Sequence, residues 1–286
     1  KSFVAAEQQD NDFFPTTLPW EVHPERDEEW FVKETKNMSR RQIAQELECE
    51  FNSSGETVVH PDDLKFIESN LQEPKHKTGF DRNLWIWEEY SPEFTYLLAA
   101  DVARGDGKDS STFHIFKLET MEQVAEYQGK IKPDLFANLL ATTGKEYGGC
   151  LAAVENAGVG YEVLSKLVEY EYPEIYFSIK STHEYVDQLM AETISSAVPG
   201  FTTSKNTRPL IVAKMEEYIR NKLINIKSVR LYNELKTFIW HNGRPQAMRS
   251  YNDDLVMAMA GYDPRKDNEM KKRIKQQQEL SWLYKG

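Results

Sequence analysis

Phe94-Thr95-Tyr96-Leu97-Leu98-Ala99-Ala100-Asp101, followed by Val102-Ala103-Arg104-Gly105-Asp106-Gly107-Lys108-Asp109, is the stretch from which the rest of the chain can be ordered. The first eight residues are largely apolar and end on a carboxylate. That is the pattern of a buried strand stopped by a polar, glycine-rich turn. Ser111–Leu118 alternates as a second strand and Gln123–Gln128 reads as a third, so the three form an antiparallel meander. Pro133 opens a helix that reaches about Tyr147, at a position where proline is favoured. Leu151–Glu155 is a short apolar strand, Tyr161–Tyr170 an amphipathic helix and Ile175–Ile179 another strand. Helices follow over Ile211–Leu223 and Leu231–Phe238, then a hairpin turn at Asn242-Gly243 and an apolar helix over Asp253–Tyr262.

This order predicts an α/β fold whose mixed sheet, an antiparallel meander plus parallel strands, is flanked by helices, as in a ribonuclease-H-like domain. Residues 1–80 have a different character, with Pro15, Pro19, Pro24, Pro61 and Pro74 and a polar helix near 40–47 capped by Ser39. The stretch Phe13–Trp30 is expected to be irregular and packed by its rings. His60-Pro61-Asp62-Asp63 reads as a turn opening a short helix, and Lys75–Gly79 as a linker. The expected division is therefore 1–74 as a small N-terminal extension and 75–286 as the main domain. Phe13, Phe14, Trp20 and Trp30 should anchor the extension.

The chain has 286 residues, 40% hydrophobic and 12% aromatic, which suits a folded soluble protein. No apolar run approaches the ~20 residues needed to span a bilayer, so no membrane role is expected. Cys49 and Cys150 form no CxxC pair, and Cys150, beside the apolar run 151–154, reads as a buried reduced thiol in a cytosolic protein. The net charge of −11 argues against a polyanionic partner until it is divided. Residues 1–90 carry 10 Lys+Arg against 20 Asp+Glu, a balance of −10; residues 201–250 carry 10 against 3, a balance of +7. A basic face on an acidic molecule is what DNA would sense, although a charge run is also what a solvated helix face looks like.

Three acidic positions share one placement. Asp101 ends the apolar strand 96–100, Glu155 ends the apolar strand 151–154, and Asp253 and Asp254 open the last apolar helix. Taken singly, Asp101 also suits a turn, Glu155 a helix start and Asp253 a helix cap. Together they suit one or two divalent cations, Mg²⁺ or Mn²⁺, because oxygen ligands match hard ions and no Cys/His zinc pattern is present. Two such ions about 4 Å apart suit phosphodiester hydrolysis. Adjacent helix residues point about 100° apart, so Asp253 and Asp254 cannot both face one centre squarely. Asn252 is expected as the N-cap, Asp254 as the ligand, and Asp253 as its neighbour or a second-metal ligand.

Three motifs, Asp101-Val-Ala-Arg-Gly-Asp-Gly-Lys-Asp-Ser-Ser, Val154-Glu-Asn-Ala-Gly-Val-Gly and Asn252-Asp-Asp-Leu-Val-Met-Ala, resemble the acidic motifs of terminase large subunits of T4-like tailed phages. Residues 200–209 and 235–240 resemble the segments between them, and residues 45–55 resemble the end of the ATPase module of the same proteins. This resemblance implies a ribonuclease-H-like endonuclease that cuts concatemeric DNA in the host cytoplasm, transiently at the procapsid portal. Asp101, Glu155 and Asp254 would be its catalytic acids. The implied partners are double-stranded DNA, portal and procapsid, the small terminase subunit and the protein's own ATPase module.

No GxxxxGK[ST] motif is present. Gly105–Ser110 lacks the earlier glycine and carries Asp109 where Mg²⁺-binding Ser/Thr would stand, so no ATP hydrolysis is expected. Residues 1–74 then read as the remnant of that module and its linker. Lys205, Arg208, Arg244 and Arg249 are candidates for holding phosphates beside the acids, or are ordinary surface cations. His183 and His241 are left as structural or surface residues. A Holliday-junction-resolvase-like nuclease and a non-catalytic docking module of a packaging motor remain the competing readings.

Overall fold

Successive side chains of a pleated strand point to opposite faces, and every residue from Tyr96 to Ala100 is buried, so strand β3 (Tyr96–Asp101) needs cover on both sides. The computed structural model describes residues 20–35, 47, 57–179, 185–186, 191 and 195–261. In it β3 lies inside a six-stranded sheet. The order is β1 (His76–Thr78), β2 (Leu84–Ile86), β5 (Glu122–Gly129), β4 (Ser111–Lys117), β3 and β6 (Leu151–Val154). The meander β3–β4–β5 is antiparallel and β3 pairs with β6 in parallel, as the ribonuclease-H-like order requires.

Helices α3 (Pro133–Glu146) and α4 (Gly160–Glu169) cover one face, where Leu98, Phe113, Ile115, Phe136, Leu140 and Leu164 form a core. Helices α5 (Thr207–Arg220), α6 (Val229–Thr237) and α7 (Asp254–Ala260) cover the other, around Leu97, Phe116, Leu151, Leu231 and Leu255. Helix α6 starts earlier than expected because the Ser228 hydroxyl accepts from the Arg230 and Leu231 amides. It also ends before Phe238, which opens β10 (Phe238–His241). This strand pairs with β11 (Arg244–Ala247) through left-handed Asn242 and Gly243, the backbone an Asn-Gly hairpin turn demands.

Three expectations are revised. The strand expected at Ile175–Ile179 divides: around Ile175 it bonds to β6 (Ala152 N to Glu174 O, 2.9 Å; Tyr176 N to Ala152 O, 3.0 Å). Beyond that, β7 (Phe177–Ile179) joins β8 (Tyr185–Val186) and β9 (Ala197–Pro199) in a separate small sheet. Lys75–Gly79 is not a bare linker, because it contains β1, paired with β2. Nor is there a break in packing at residue 74. Val58, Val59 and Ile67, the last on α2 (Pro61–Ser69), are buried in the same core as Phe116 and Leu235, and Val58 N bonds to Phe238 O at 2.9 Å. Further upstream, Trp20 stacks on Trp30 and Phe31, at 6.1 and 4.5 Å between ring centroids; the latter two lie on α1 (Glu28–Thr35). Phe13, Phe14, Ser39, Cys49, His183 and residues 262–286 lie outside the described residues.

Leu98 has no exposed surface and sits where β3 meets α3 and α4. Leu98→Ala should lower the unfolding free energy by about 2–5 kcal/mol. Urea titration should show a lower midpoint at an unchanged slope, since the surface exposed on unfolding stays the same.

Candidate metal centre

The parallel register pairs Leu97 with Leu151 and runs to Ala100 with Val154. One further step sets Asp101 beside Glu155, and the Glu155 amide still donates to Ala100 O at 3.0 Å. Alternation from Leu97 and Leu151 puts both carboxylates on the face covered by α7. Their strands stand about 4.8 Å apart by ordinary sheet spacing. Two glycines allow the chain around Glu155 to pack this closely. A Cβ on Gly160, at the start of α4, would lie 1.9 Å from Glu155 O. One on Gly200 would lie 2.4 Å from Val154 O, and Gly200 also has a left-handed φ of 80°. Next to it, Asn156 Nδ2 donates to Pro199 O at 3.0 Å and accepts through Oδ1 from the Thr202 hydroxyl at 2.9 Å.

The third acid arrives from α7. Thr112, paired with Asp101 in β4, donates its hydroxyl to Asp254 O at 2.9 Å, and His114 Nε2 lies 2.9 Å from Leu255 O. The first turn of α7 is thereby pinned over the sheet. Asp254 Oδ2 accepts from the Ser110 amide at 2.8 Å and from Asn252 Nδ2 at 3.2 Å. The glycine-rich turn 102–110 thus supports an acid rather than a phosphate. Asn252 does not cap the helix; its amide bridges Asp254 and Lys108 O, and Asp253 takes the N-cap position.

The two neighbouring acids are separated by this geometry. Asp254 is buried and its charge acts on Asp101, whereas Asp253 turns to Arg208 Nη2 and accepts from the Ala247 amide at 3.1 Å. Arg208 also donates through Nε to Pro245 O at 3.0 Å, so it clamps the hairpin to α7 instead of standing free. Lys205, Arg244 and Arg249 are exposed and make no ion pair among the described residues. Part of the +7 balance of residues 201–250 is neutralised by acids outside that segment, Arg208 by Asp253 among them. Lys227 pairs with Glu88 and Glu122, and Arg230 with Glu126, in a buried network beside β5. Lys214 and Arg220 pair along α5 with Glu217 and Glu216, acids that the balance already counts. His241 sits exposed at the hairpin tip, and Cys150 is a buried free thiol pushed up to about 12 by that burial.

Burial raises the Asp101 carboxyl well above its ordinary range, helped by a hydrogen bond and charge from Glu155 and by the charge of Asp254. Burial also holds Asp254 at about 6, with the charges of Asp109 and Asp253 adding to it against the Ser110 amide. Among the described residues no group of three His, Cys, Asp or Glu side chains is already set to hold a metal ion. Asp101 and Glu155 stand close enough for the Glu155 carboxylate to act on Asp101 instead. The donor set still fits a hard divalent cation. It is all oxygen, Asp101 and Asp254 are desolvated, and among the described residues no Lys or Arg pairs with any of its three members. Glu234 is a polar residue of this region that the sequence pattern did not single out. It is buried on α6 and its carboxylate accepts from the Leu255 and Val256 amides at 2.8 and 3.2 Å. Nothing in the local pattern of α6 distinguishes it from a surface glutamate.

No family model matches the chain, and no curated protein sequence matches it. Solved structures do. The large terminase nuclease of thermophilic phage G20c, crystallised with magnesium, superposes with a TM-score of 0.54 at 15% identity, over 72% of this chain and 95% of that one. The same nuclease with cobalt gives 0.54 over the same shares, again at 15% identity. The nuclease domain of the Thermus phage P74-26 large terminase gives 0.52 at 15% identity, over 69% of this chain and 92% of that one. The fold of this protein is therefore the ribonuclease-H-like fold of phage large terminase nuclease domains.

A carboxyl that is harder to ionise when folded stabilises the protein below its ordinary range near pH 4, and that contribution is lost as pH rises through its folded value. Without divalent ions, stability should thus fall between about pH 4 and 7 on account of Asp254, by at most about 3 kcal/mol. Chemical denaturation of the metal-free protein and of Asp254→Asn across this range checks it: the variant should show the weaker decline.

Proposed function

We propose that this protein is the nuclease part of a phage DNA-packaging terminase, a metal-dependent endonuclease that cleaves double-stranded DNA. The observation that carries the reading is the set of three carboxylates at one sheet edge, Asp254 buried and Asp101 and Glu155 half-buried, none with a cationic partner among the described residues, within a fold shared with terminase nucleases. Asp101, Glu155 and Asp254 would hold Mg²⁺ or Mn²⁺, in a two-metal arrangement. Such ions, when bound, supply charge neutralisation and Lewis acidity at the scissile phosphodiester. Asp254 is the ligand from α7, and Asp253 serves as the fastening of that helix through Arg208.

The chain's own groups then have distinct tasks. The three acids repel phosphate unless they are neutralised, so the substrate must be held by cations beside them. The exposed Lys205, Arg244 and Arg249 are suited to that, each taking a phosphate oxygen of the duplex backbone. Arg208 contributes by keeping β11 and α7 together. The sequence carries no base-reading motif, which agrees with cutting of weak sequence preference. The portal, procapsid and small terminase subunit are proposed partners of the complete motor, as is the ATPase module of the same protein. Among the described residues no helix is long and apolar enough to cross a membrane.

Incubation of supercoiled plasmid with the protein should give nicked and linear DNA with Mn²⁺ or Mg²⁺ and none with chelator. Asp101→Asn, Glu155→Gln and Asp254→Asn should each reduce cleavage to background while the protein stays folded. Persistence of cleavage in all three variants would exclude this centre. For DNA binding, Lys205→Ala, Arg244→Ala and Arg249→Ala should each lower the slope of log affinity against log salt by about one. Arg208→Ala should instead lower thermal stability. Binding titrations at several salt concentrations, with melting curves alongside, separate the two effects.

A further inference from the structure

Helix α7 delivers Asp254, yet its own N-cap residue does not close its end. The first amides of a helix have no acceptor within it, and a side chain at the N-cap position usually supplies one. Asp253 occupies that position and makes no side-chain cap bond. Its carboxylate is taken by Arg208 and by the Ala247 amide. Two of the orphaned amides, those of the buried Leu255 and Val256, are answered from another helix: both donate to Glu234 Oε2, at 2.8 and 3.2 Å. The second oxygen of Glu234 accepts from Gln128 Nε2 on β5 at 2.8 Å. Glu234 is 8% exposed and has no cationic partner among the described residues, so its carboxylate is committed to these three donors.

This geometry ties the start of α7 to the sheet and to α6 at once. Thr112 and His114 hold the carbonyls of Asp254 and Leu255 from the β4 side. Glu234 holds the amides of Leu255 and Val256 from the α6 side. A helix end capped by its own preceding residue could rock with the hairpin; this one is capped from the core. We infer that Glu234 is the positioning residue of the acidic centre: by capping α7 from α6 it sets the place of the Asp254 carboxylate, and with it the affinity of the centre for a divalent cation. The inference rests on the reading of that centre as metal-binding. Glu234 itself touches neither DNA nor ion.

Mn²⁺ titration calorimetry, with metal-free melting temperatures as a control, tests this on wild type, Glu234→Ala, Glu234→Gln and Glu234→Asp. Loss of a group that orients a ligand typically weakens a metal site by about 10–100-fold. Glu234→Ala should therefore lose at least about tenfold in Mn²⁺ affinity. Glu234→Asp should lose affinity too, because its shorter side chain withdraws from both amides; it carries the comparison if Glu234→Ala does not fold. Glu234→Gln should stay near wild type: its amide oxygen can accept from Leu255 and Val256, and Gln128 can turn its own oxygen to accept from the new NH₂. In the Asp254→Asn background Glu234→Ala should add no further loss. Wild-type Mn²⁺ affinity in both Glu234→Ala and Glu234→Asp, or a Glu234→Gln variant as weak as they are, overturns the inference and leaves the metal centre intact. A wild-type protein that binds no Mn²⁺ overturns the reading of the centre and this inference with it.

Discussion

At Ala100 and Val154 the parallel pairing of β3 with β6 reaches its end, with Glu155 N still bonded to Ala100 O. The rest of the acidic edge depends on that register. Pleating alternates side chains with a period of two, so a slip of one residue in either strand would send its carboxylate to the face covered by α3 and α4. The apolar residues before each acid guard against this. Leu98, Ala152 and Val154 fill one core and Leu97, Leu151 and Ala153 the other. The hydrophobic effect thereby sets the position of two charged groups that it does not itself favour.

The centre differs in kind from the buried charges beside β5. Lys117, Lys227, Glu88 and Glu122 neutralise one another, and Arg230 answers Glu126 beneath them. Lys117 and Lys227 together hold Glu88 down at about 2, although burial alone would raise it. Burial raises Asp101 and Asp254, neighbouring acids add to it, and no cation among the described residues offsets it. A fold that balances its charges in one layer and leaves three acids unbalanced in another has spent stability at that edge. The compensation is local and made of dipoles: the Ser110 amide and the Asn252 amide at Asp254, and the Val102 amide at Asp101.

Elements with a strong local pattern were legible before the structure. The meander, α3, α4 and the apolar strand before Glu155 stand within a few residues of their expected places, because each carries its own periodicity or its own starting proline. Lys75–Gly79 did not read as a strand: three polar residues at a sheet edge, His76, Lys77 and Thr78, carry no burial pattern. Residues 57–72 looked like part of an extension because Pro61, Asp62 and Asp63 dominate their composition. What attaches them is the burial of Val58, Val59 and Ile67 against residues far along the chain. The basic segment was legible as a charge balance but not as a surface, since neutralisation by Glu88, Glu122 and Glu126 is invisible from within residues 201–250.

Sequence alone determined the class of fold, the three chain segments that carry an acid at one end, and the chemistry of oxygen ligands those acids imply. These follow from residue type and local period, which every strand and helix carries within itself. Tertiary structure decided which of Asp253 and Asp254 joins the other acids, that Arg208 is a fastening rather than a free cation, and that the cap of α7 is Glu234. Each of those depends on a partner at a distance: Arg208 lies 45 residues before Asp253, and Glu234 21 before Leu255. A side chain's role there is set by what the fold brings against it, and no local pattern records that.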